Sequence, residues 1–259
     1  KPMQVVSIIS TTGGVGKTTK AANLGGFAAD AGLRVLLLDL DVQPTLSSYF
    51  TLAERAPAGI YEMLAYNEQR AEQLVSHTVI ERLDLVLSND DRGELNTLLL
   101  HAPDGRLRLR HLLPTLAPRY DLLLIDTQGA RSVLLEMAVL ASNLALSPVT
   151  PEILAARELR RGTLQLIEDI APYRHLGIEP PPLRLPRNYM DGFRDVYQRA
   201  HPDVGTIIGI SGRAFAINAS DRLWKTYALG ERSKIVDPAT KQPAERNVYL
   251  DDPTMGVKA

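Results

Sequence analysis

Residues Thr11-Thr12-Gly13-Gly14-Val15-Gly16-Lys17-Thr18-Thr19 decide how this sequence folds. The stretch follows a short β-branched run, Val5–Ile9, and opens an alanine-rich segment, about Thr18 to Asp30, that is typical of a helix. Glycines at a strand–helix junction let consecutive backbone N–H groups turn toward an anion, and the helix N-terminus adds its positive end. The stretch therefore predicts a phosphate-binding loop, whose nucleotide-binding residues would be Gly13, Gly14, Val15, Gly16, Lys17, Thr18 and Thr19.

The lysine and threonine after the last glycine favour a nucleoside triphosphate with Mg²⁺. Lys17 would reach the β- and γ-phosphates, and the Thr18 hydroxyl would coordinate the metal. A dinucleotide fold of the NAD type is the first rival, because Gly14-Val15-Gly16 follows a strand and Asp39 ends the next one. Its third glycine is missing, since Thr19 stands there.

The other apolar runs predict a layered α/β fold. Four of them have the continuous apolar character of strands buried on both faces: Val35–Leu38, Leu83–Leu87, Leu122–Ile125 and Leu144–Val149. Helical patterns accompany them at Ile60–Ala65, Leu107–Leu116, Val133–Leu140 and Ile153–Ile170. Strands that alternate with helices imply crossover connections. We expect a doubly wound, mostly parallel sheet flanked by helices in a three-layer sandwich, the fold class of P-loop NTPases.

Two of the predicted strands end in carboxylates. Asp39 and Asp41 follow the run that begins at Val35, and Asp126 ends the run that begins at Leu122. The carboxyl ends of parallel strands meet at one edge of a doubly wound sheet, where ligands bind. Lys17, Asp41 and Asp126 should therefore gather there, with a carboxylate available for Mg²⁺ and another for the attacking water.

The pattern weakens beyond residue 178. Pro180-Pro181-Pro182 leads into Leu183, and Pro186 interrupts what could have been a strand. We expect a last strand at Thr206–Ile210 and a helix at Phe215–Leu229. Residues 1–230 are predicted to form a single domain, and residues 231–259 a polar C-terminal tail without periodicity.

Composition excludes several classes of function. The 259 residues contain no cysteine, which removes thiolate catalysis, cysteine zinc sites and iron–sulfur ligation. The net charge of −1 argues against a molecule coated in positive charge. Residues 157–234, however, carry 13 Lys and Arg against 9 Asp and Glu. No apolar segment is long enough to cross a bilayer, so we expect no membrane partner.

The motifs resemble those of a known family. Gly13-Gly14-Val15-Gly16-Lys17-Thr18-Thr19 resembles the deviant Walker A loop of the MinD/ParA ATPases, and residues 4 to 172 resemble a short, Soj-type ParA partition ATPase. Asp39-Leu40-Asp41-Val42-Gln43-Pro44, Ile125-Asp126-Thr127 and Ser147-Pro148-Val149-Thr150-Pro151-Glu152 carry the rest of the likeness. Because the first strand begins near residue 4, the likeness is to the short type, without an N-terminal DNA-binding extension.

The resemblance implies specific roles. Lys17 and Asp41 would be catalytic, Asp41 by orienting the lytic water, and Thr18 and Asp126 would serve Mg²⁺, with Asp126–Gly129 as the second switch. ATP would close a homodimer that binds DNA non-specifically and segregates a plasmid, chromosome or mobile element, and a ParB-type partner would stimulate hydrolysis. The protein would be cytoplasmic and nucleoid-associated. The DNA surface is expected around Arg157, Arg160, Arg161, Arg213 and Arg222.

The sequence departs from the family in two places. Thr12 stands where the family has a signature lysine that reaches the partner's phosphates, and losing such a charge lowers hydrolysis rates by about 10³–10⁵-fold. Lys20 lies one helical turn too far along to replace it. The alternative function is therefore a nucleotide-gated binding module with negligible ATP turnover. In the C-terminal third, Asn188 is only a loose match to the family's adenine-binding asparagine.

Overall fold

An eight-stranded sheet forms the centre of the part of the chain that the structure describes. This part, as given by a computed structural model, comprises residues 2–148, 159–184, 207–210, 213–217 and 224–226. The strands are β1 Gln4–Ile8, β2 Val35–Asp39, β3 Leu52–Glu54, β4 Val75–Thr78, β5 Leu83–Val86, β6 Leu122–Asp126, β7 Leu144–Leu146 and β8 Leu183–Arg184. Their order is β3-β4-β5-β2-β6-β1-β7-β8. Within this sheet β4 pairs antiparallel with β3 and β5 and the other pairs are parallel, so the mostly parallel sheet is confirmed.

Helices cover both faces of this sheet. They are α1 Lys17–Asp30, α2 Thr45–Ser48, α3 Ile60–Ala65, α4 Ala71–Leu74, α5 Glu94–His101, α6 Arg108–Leu112, α7 Val133–Ala141 and α8 Gln165–Asp169. Short 3₁₀ turns occupy Leu113–Thr115, Ala117–Arg119 and Ala171–Leu176, and one π-helical stretch, Leu159–Leu164, runs directly into α8. Helix α6 ends before Pro114, which is why the predicted helix Leu107–Leu116 is interrupted.

Alternation along the strands divides the core into two layers. In β2, Leu36 and Leu38 join the cluster made with α3, α5, α6 and α7, whereas Val35 and Leu37 join the cluster made with α1. Successive strand residues point to opposite faces, so a strand buried on both sides must be apolar throughout. This explains why the central strands read as unbroken apolar runs.

Helix α1 packs unusually close to the sheet. Residues Ala21 to Ala29 are all buried, which suits a composition of alanine and glycine rather than an amphipathic pattern. A Cβ at Gly25 would lie 2.7 Å from Leu37 Cδ2 and 3.4 Å from Leu83 Cδ1. Gly25 therefore sets the distance between α1 and the two strands beneath it, and so positions the phosphate loop at its start.

The C-terminal third differs from the sequence-based expectation. Strands β9 Ile207–Ile210, β10 Arg213–Ile217 and β11 Trp224–Thr226 form a separate antiparallel sheet in the order β11-β10-β9. The strand expected at 206–210 is present, but the helix expected at Phe215–Leu229 is wrong. Residues 213–217 alternate between large side chains and alanine, a period of two, and Phe215 pairs with Ile208 across the ladder. The predicted tail, residues 231–259, lies outside the described residues.

Candidate nucleotide-binding site

The phosphate loop lines a cavity of about 650 Å³ at the carboxyl edge of the sheet. Gly14 and Gly16 adopt left-handed φ values of +72° and +77°, which side-chain-bearing residues rarely adopt, and a Cβ at Gly13 or Gly14 would meet no atom within 4 Å. The loop is thus an open cradle of backbone at the start of α1. Around it the cavity is lined by Gly13, Gly14, Gly16, Lys17, Thr18, Thr19, Asp41, Val42, Gln43, Thr45, Tyr49, Gln128, Gly129 and Ala130.

Lys17 lies beneath this cradle, almost completely buried. Its ammonium donates a hydrogen bond to the Thr12 carbonyl at 3.2 Å, so it spans the loop from end to start. Burial lowers the pKa of Lys17, and the carboxylates of Asp126 and Asp41 oppose that shift. A buried ammonium at the base of the cradle is suited to bind a phosphate that enters it, through charge-assisted hydrogen bonds.

Asp126 provides the strongest sign that a cation belongs in this site. It is fully buried at the end of β6, and neither carboxylate oxygen has a hydrogen-bond partner among the described residues. Burial raises the pKa of Asp126 to about 7, while the nearby Thr18 hydroxyl and Lys17 act in the opposite direction. Unpartnered carboxylate oxygens beside a threonine hydroxyl are hard oxygen ligands of the kind Mg²⁺ prefers. Thr18 and Asp126 therefore fit Mg²⁺.

The segment Asp39–Pro44, called the first switch below, contains two carboxylates with different surroundings. Asp39 is fully buried and accepts hydrogen bonds from the Ser47 backbone N–H at 2.8 Å and the Ser47 hydroxyl at 2.7 Å. Burial raises its pKa to about 6 against the pull of those donors. Asp41 instead faces the cavity, half-buried, with its Oδ1 accepting from the Gln43 N–H at 3.0 Å. Asp39 shapes the loop, and Asp41 is the carboxylate available to a ligand.

The second switch lies directly over the phosphate loop. The Thr127 hydroxyl donates to the Ile8 carbonyl at 2.8 Å, which fixes the start of the switch to β1. A Cβ at Gly129 would come within 2.7 Å of Gly13 Cα and 3.1 Å of Lys17 Nζ. Only glycine allows this close approach, so the loop after Asp126 forms one wall of the cavity.

Lys20 folds back over the first turn of α1. Its Cε lies 3.8 Å from the position that a Gly16 Cβ would occupy, and burial lowers its pKa to about 8. It does not line the cavity, in agreement with its distance along the helix.

Of the arginines predicted to bind DNA and the asparagine predicted to bind adenine, only some lie among the described residues. Arg160 and Arg161 belong to the π-helical stretch, with Arg161 exposed, and Arg213 is the first residue of β10. Arg157, Arg222 and Asn188 lie outside the described residues.

Several cavity residues were not predicted from the sequence. Tyr49, Thr45 and Gln128 line the cavity, and Ser47 and Ser88 hold its first switch: Ser88 Oγ donates to the Asp41 carbonyl, and its N–H donates to Ser47 Oγ. Gln128 could have been found from its place between Asp126 and Gly129. The serines could not, because their role depends on contacts between distant segments.

Comparison with known proteins agrees with this geometry. A family described as an AAA domain matches residues 3–175. The chain is 32% identical over 161 residues to the chromosome partitioning protein ParA of Myxococcus xanthus, covering 62% of this chain and 56% of that protein. The chain belongs to the ParA/MinD-type P-loop ATPases. It is also 28% identical to the sporulation initiation inhibitor protein Soj of Bacillus subtilis, covering 64% of this chain and 66% of that protein.

Solved structures show the same fold. An ATP complex of a Cyanothece McdA variant is similar with a TM-score of 0.63 at 21% identity, covering 77% of this chain and 80% of that one. The Mycobacterium smegmatis cobyrinic acid a,c-diamide synthase with a bound ATP analogue and magnesium is similar with a TM-score of 0.61 at 26% identity, covering 76% and 80%. The chain spans about half the length of the first curated relatives that it matches.

Proposed function

We propose that this chain binds ATP with Mg²⁺ and hydrolyses it as part of a partition system. The observation that carries the proposal is the meeting of Lys17, Thr18 and Asp41 around one glycine-lined cavity, with the unpartnered carboxylate of Asp126 behind them. These groups come from three segments at the carboxyl edge of the sheet: the start of α1, the loop after β2 and the end of β6. Together they supply a cation for phosphate, oxygen ligands for a metal, and a free carboxylate.

In this proposal each of these residues has a distinct task. The N–H groups of Gly13 to Gly16 and the Lys17 ammonium would bind the phosphates. Thr18 and Asp126 would hold Mg²⁺, which would supply positive charge to neutralise the phosphates. Asp41 accepts a hydrogen bond from a water and orients it toward the γ-phosphate. Lys17 has three N–H donors, so it can keep its hydrogen bond to the Thr12 carbonyl while it binds a phosphate.

The wider function follows from the relatives rather than from the site. We propose that ATP closes a homodimer, that the dimer binds DNA without sequence preference through the basic region, and that a ParB-type partner stimulates hydrolysis. The cargo would be a plasmid, chromosome or mobile element, and the protein would act on the nucleoid.

A nucleotide-gated binding module is the second candidate, because of Thr12. Its carbonyl holds Lys17, but its side chain has no charge to place near a partner's phosphates. In this version ATP still controls dimerisation, and hydrolysis is negligible.

One experiment separates the two candidates. ATP turnover and dimerisation are measured with and without DNA for the wild-type chain, for Thr12→Lys and for Asp41→Ala. The partition ATPase hydrolyses ATP, dimerises with ATP and loses turnover but not ATP binding in Asp41→Ala. A gated module dimerises with ATP and shows no turnover. A wild-type chain that neither dimerises nor hydrolyses contradicts both.

The Thr12→Lys variant tests the role of the missing charge. We expect its turnover to exceed that of the wild type by about tenfold or more, because a lysine there adds positive charge where the transition state becomes more negative. Equal rates in the two proteins would contradict this explanation of Thr12.

A further inference from the structure

The helical segment Leu159–Asp169, made of the π-helical stretch and α8, contacts the phosphate site at two separate points. Neither point involves a residue that lines the cavity. One is a steric contact with the start of the phosphate loop, and the other is an ion pair with the end of the second switch.

The steric contact joins Gly162 to Thr11. A Cβ at Gly162 would overlap Thr11 Oγ1 and lie 2.7 Å from Thr11 Cβ. Thr11 occupies the position where the usual P-loop pattern has its first glycine, so this loop carries a side chain that the usual pattern lacks. Because Gly162 has no side chain, there is room for the side chain of Thr11. The Thr11 hydroxyl is buried there without a hydrogen-bond partner among the described residues.

The ion pair joins Arg131 to Asp169. Arg131 lies two residues beyond Gly129, the glycine that covers Lys17. Its guanidinium contacts Asp169 Oδ2 at 2.6 Å and Glu136 Oε1 at 3.2 Å. Glu136 belongs to α7 and also binds Arg106. Arg131, two residues beyond the second switch, is thus held between α7 and α8 by partly exposed ion pairs, and Asp169 belongs to the segment that also touches Thr11.

We propose that the segment Leu159–Asp169 positions both loops of the phosphate site, Thr11 through Gly162 and the second switch through the pair Arg131–Asp169. Gly162, Arg131 and Asp169 are then positioning residues for the nucleotide chemistry. This inference rests on the proposed ATP site. It explains how a loop with Thr11 in place of the first glycine keeps its shape. It also explains the position of the π-helical turn, because such turns are rare overall but occur frequently at functional sites.

The steric half is tested with a pair of substitutions. Gly162→Ala should push Thr11 outward and lower the affinity for ATP·Mg²⁺ by about tenfold or more, since small displacements at a catalytic site have large effects. Adding Thr11→Gly to Gly162→Ala should restore most of the affinity, because it removes the clashing atoms. Gly105→Ala is the matched control: its Cβ would overlap the Leu99 carbonyl, far from the cavity, so it should lower stability without a selective loss of affinity.

The ionic half is tested with a charge exchange. Arg131→Asp and Asp169→Arg should each lower kcat and the affinity for ATP·Mg²⁺, and the double variant should recover part of both losses. Glu179→Gln, which breaks the exposed pair with Arg174, is the control and should change neither.

The outcomes distinguish this inference from the proposed function. A wild type that does not bind ATP overturns the proposed function, and with it the ground for this inference. A wild type that binds ATP, with Gly162→Ala unchanged in affinity or not rescued by Thr11→Gly, overturns the steric half alone. Additive losses in the charge exchange overturn the ionic half alone.

Discussion

At the scale of single residues, the site depends on a carboxylate that is badly solvated without its ligand. Asp126 is buried with both oxygens unpartnered among the described residues, and its pKa is raised to about 7. Ionisation of Asp126 therefore destabilises the nucleotide-free folded protein, whereas the same negative charge favours binding of a cation. Functional sites commonly trade stability for binding in this way.

This trade predicts the behaviour of Asp126→Asn. In the unfolded chain the carboxyl group ionises near pH 4, whereas in the folded chain it holds its proton up to about pH 7, so the folded state binds more protons between these values. The stability of the nucleotide-free wild type should fall as pH rises through this window. We expect Asp126→Asn to be more stable than the wild type by about 1–3 kcal/mol at pH 8, with the difference shrinking toward pH 4.

The measurement is urea unfolding in a chelator at pH 5 and pH 8. The control is Asp91→Asn, which replaces an exposed carboxylate and should show no such pH-dependent gain. If Asp126→Asn increases stability as much at pH 5 as at pH 8, the raised pKa of Asp126 is contradicted. Addition of ATP·Mg²⁺ should stabilise the wild type more than the variant.

Sequence reasoning found the residues of the site that belong to compact motifs. Lys17, Thr18, Asp41 and Asp126 each stand at a strand end or helix start, and the structure brings them together. The family resemblance favoured Asp41 over Asp39, but the motif alone does not show that Asp39 is buried, because that burial involves hydrogen bonds from Ser47, eight residues along. Gly162 could not be connected to Thr11, since the contact joins segments about 150 residues apart.

At the scale of elements, the sequence predicted best where burial is complete. The runs in β1, β2, β5 and β6 were recognised because strands covered on both faces are mostly apolar; Ser7 in β1 and Asp84 in β5 are the internal exceptions. The strands β3 and β4 toward one edge were missed, since they are short and their exposed positions break the apolar pattern. Strand β10 was mistaken for part of a helix because its alternation is only five residues long.

Helix α1 offers a test of the packing that positions the loop. Gly25→Ala adds a methyl group 2.7 Å from Leu37 Cδ2, in a core where Leu37 is fully buried. We expect a loss of stability of about 1–3 kcal/mol from overpacking, despite the better helix propensity of alanine.

Chemical denaturation measures this loss, and a double-mutant cycle identifies its cause. Combined with Leu37→Ala, Gly25→Ala should cost less than it does alone, because the smaller side chain removes the clash. If Gly25→Ala is instead more stable than the wild type, α1 is not in close contact with β2.

At the scale of the whole molecule, the charge distribution favours one region for the DNA binding that we propose. The net charge of −1 conceals a basic stretch at residues 157–234, and Arg161 is exposed in the segment that touches the phosphate site. A surface that works by neutralising phosphates releases counterions, so its affinity falls steeply with salt.

We expect the ATP-bound protein to lose at least about tenfold in DNA affinity between about 50 and 200 mM salt. Replacing Arg160 and Arg161 together with glutamine should weaken binding for all sequences alike and lower the salt slope by about 2. Fluorescence anisotropy with two unrelated duplexes measures both effects. Binding that is insensitive to salt would contradict a phosphate-neutralising surface.

Among the residues that the structure describes, no helix is long and apolar enough to cross a membrane. The single-domain prediction for residues 1–230 stays a prediction, and the pairing of β9 with β10 and β11 in a separate antiparallel sheet was not predicted.

The central claim is that the glycine loop and the carboxylates at this sheet edge form an ATP·Mg²⁺ site. Equilibrium binding of a fluorescent ATP analogue, with competition by unlabelled ATP and NAD, tests it most directly. We predict that binding requires Mg²⁺, that ATP competes and NAD does not, and that Lys17→Ala weakens binding at least about tenfold through the lost charge-assisted hydrogen bonds. Equal competition by NAD, or unchanged affinity in Lys17→Ala, would contradict the claim.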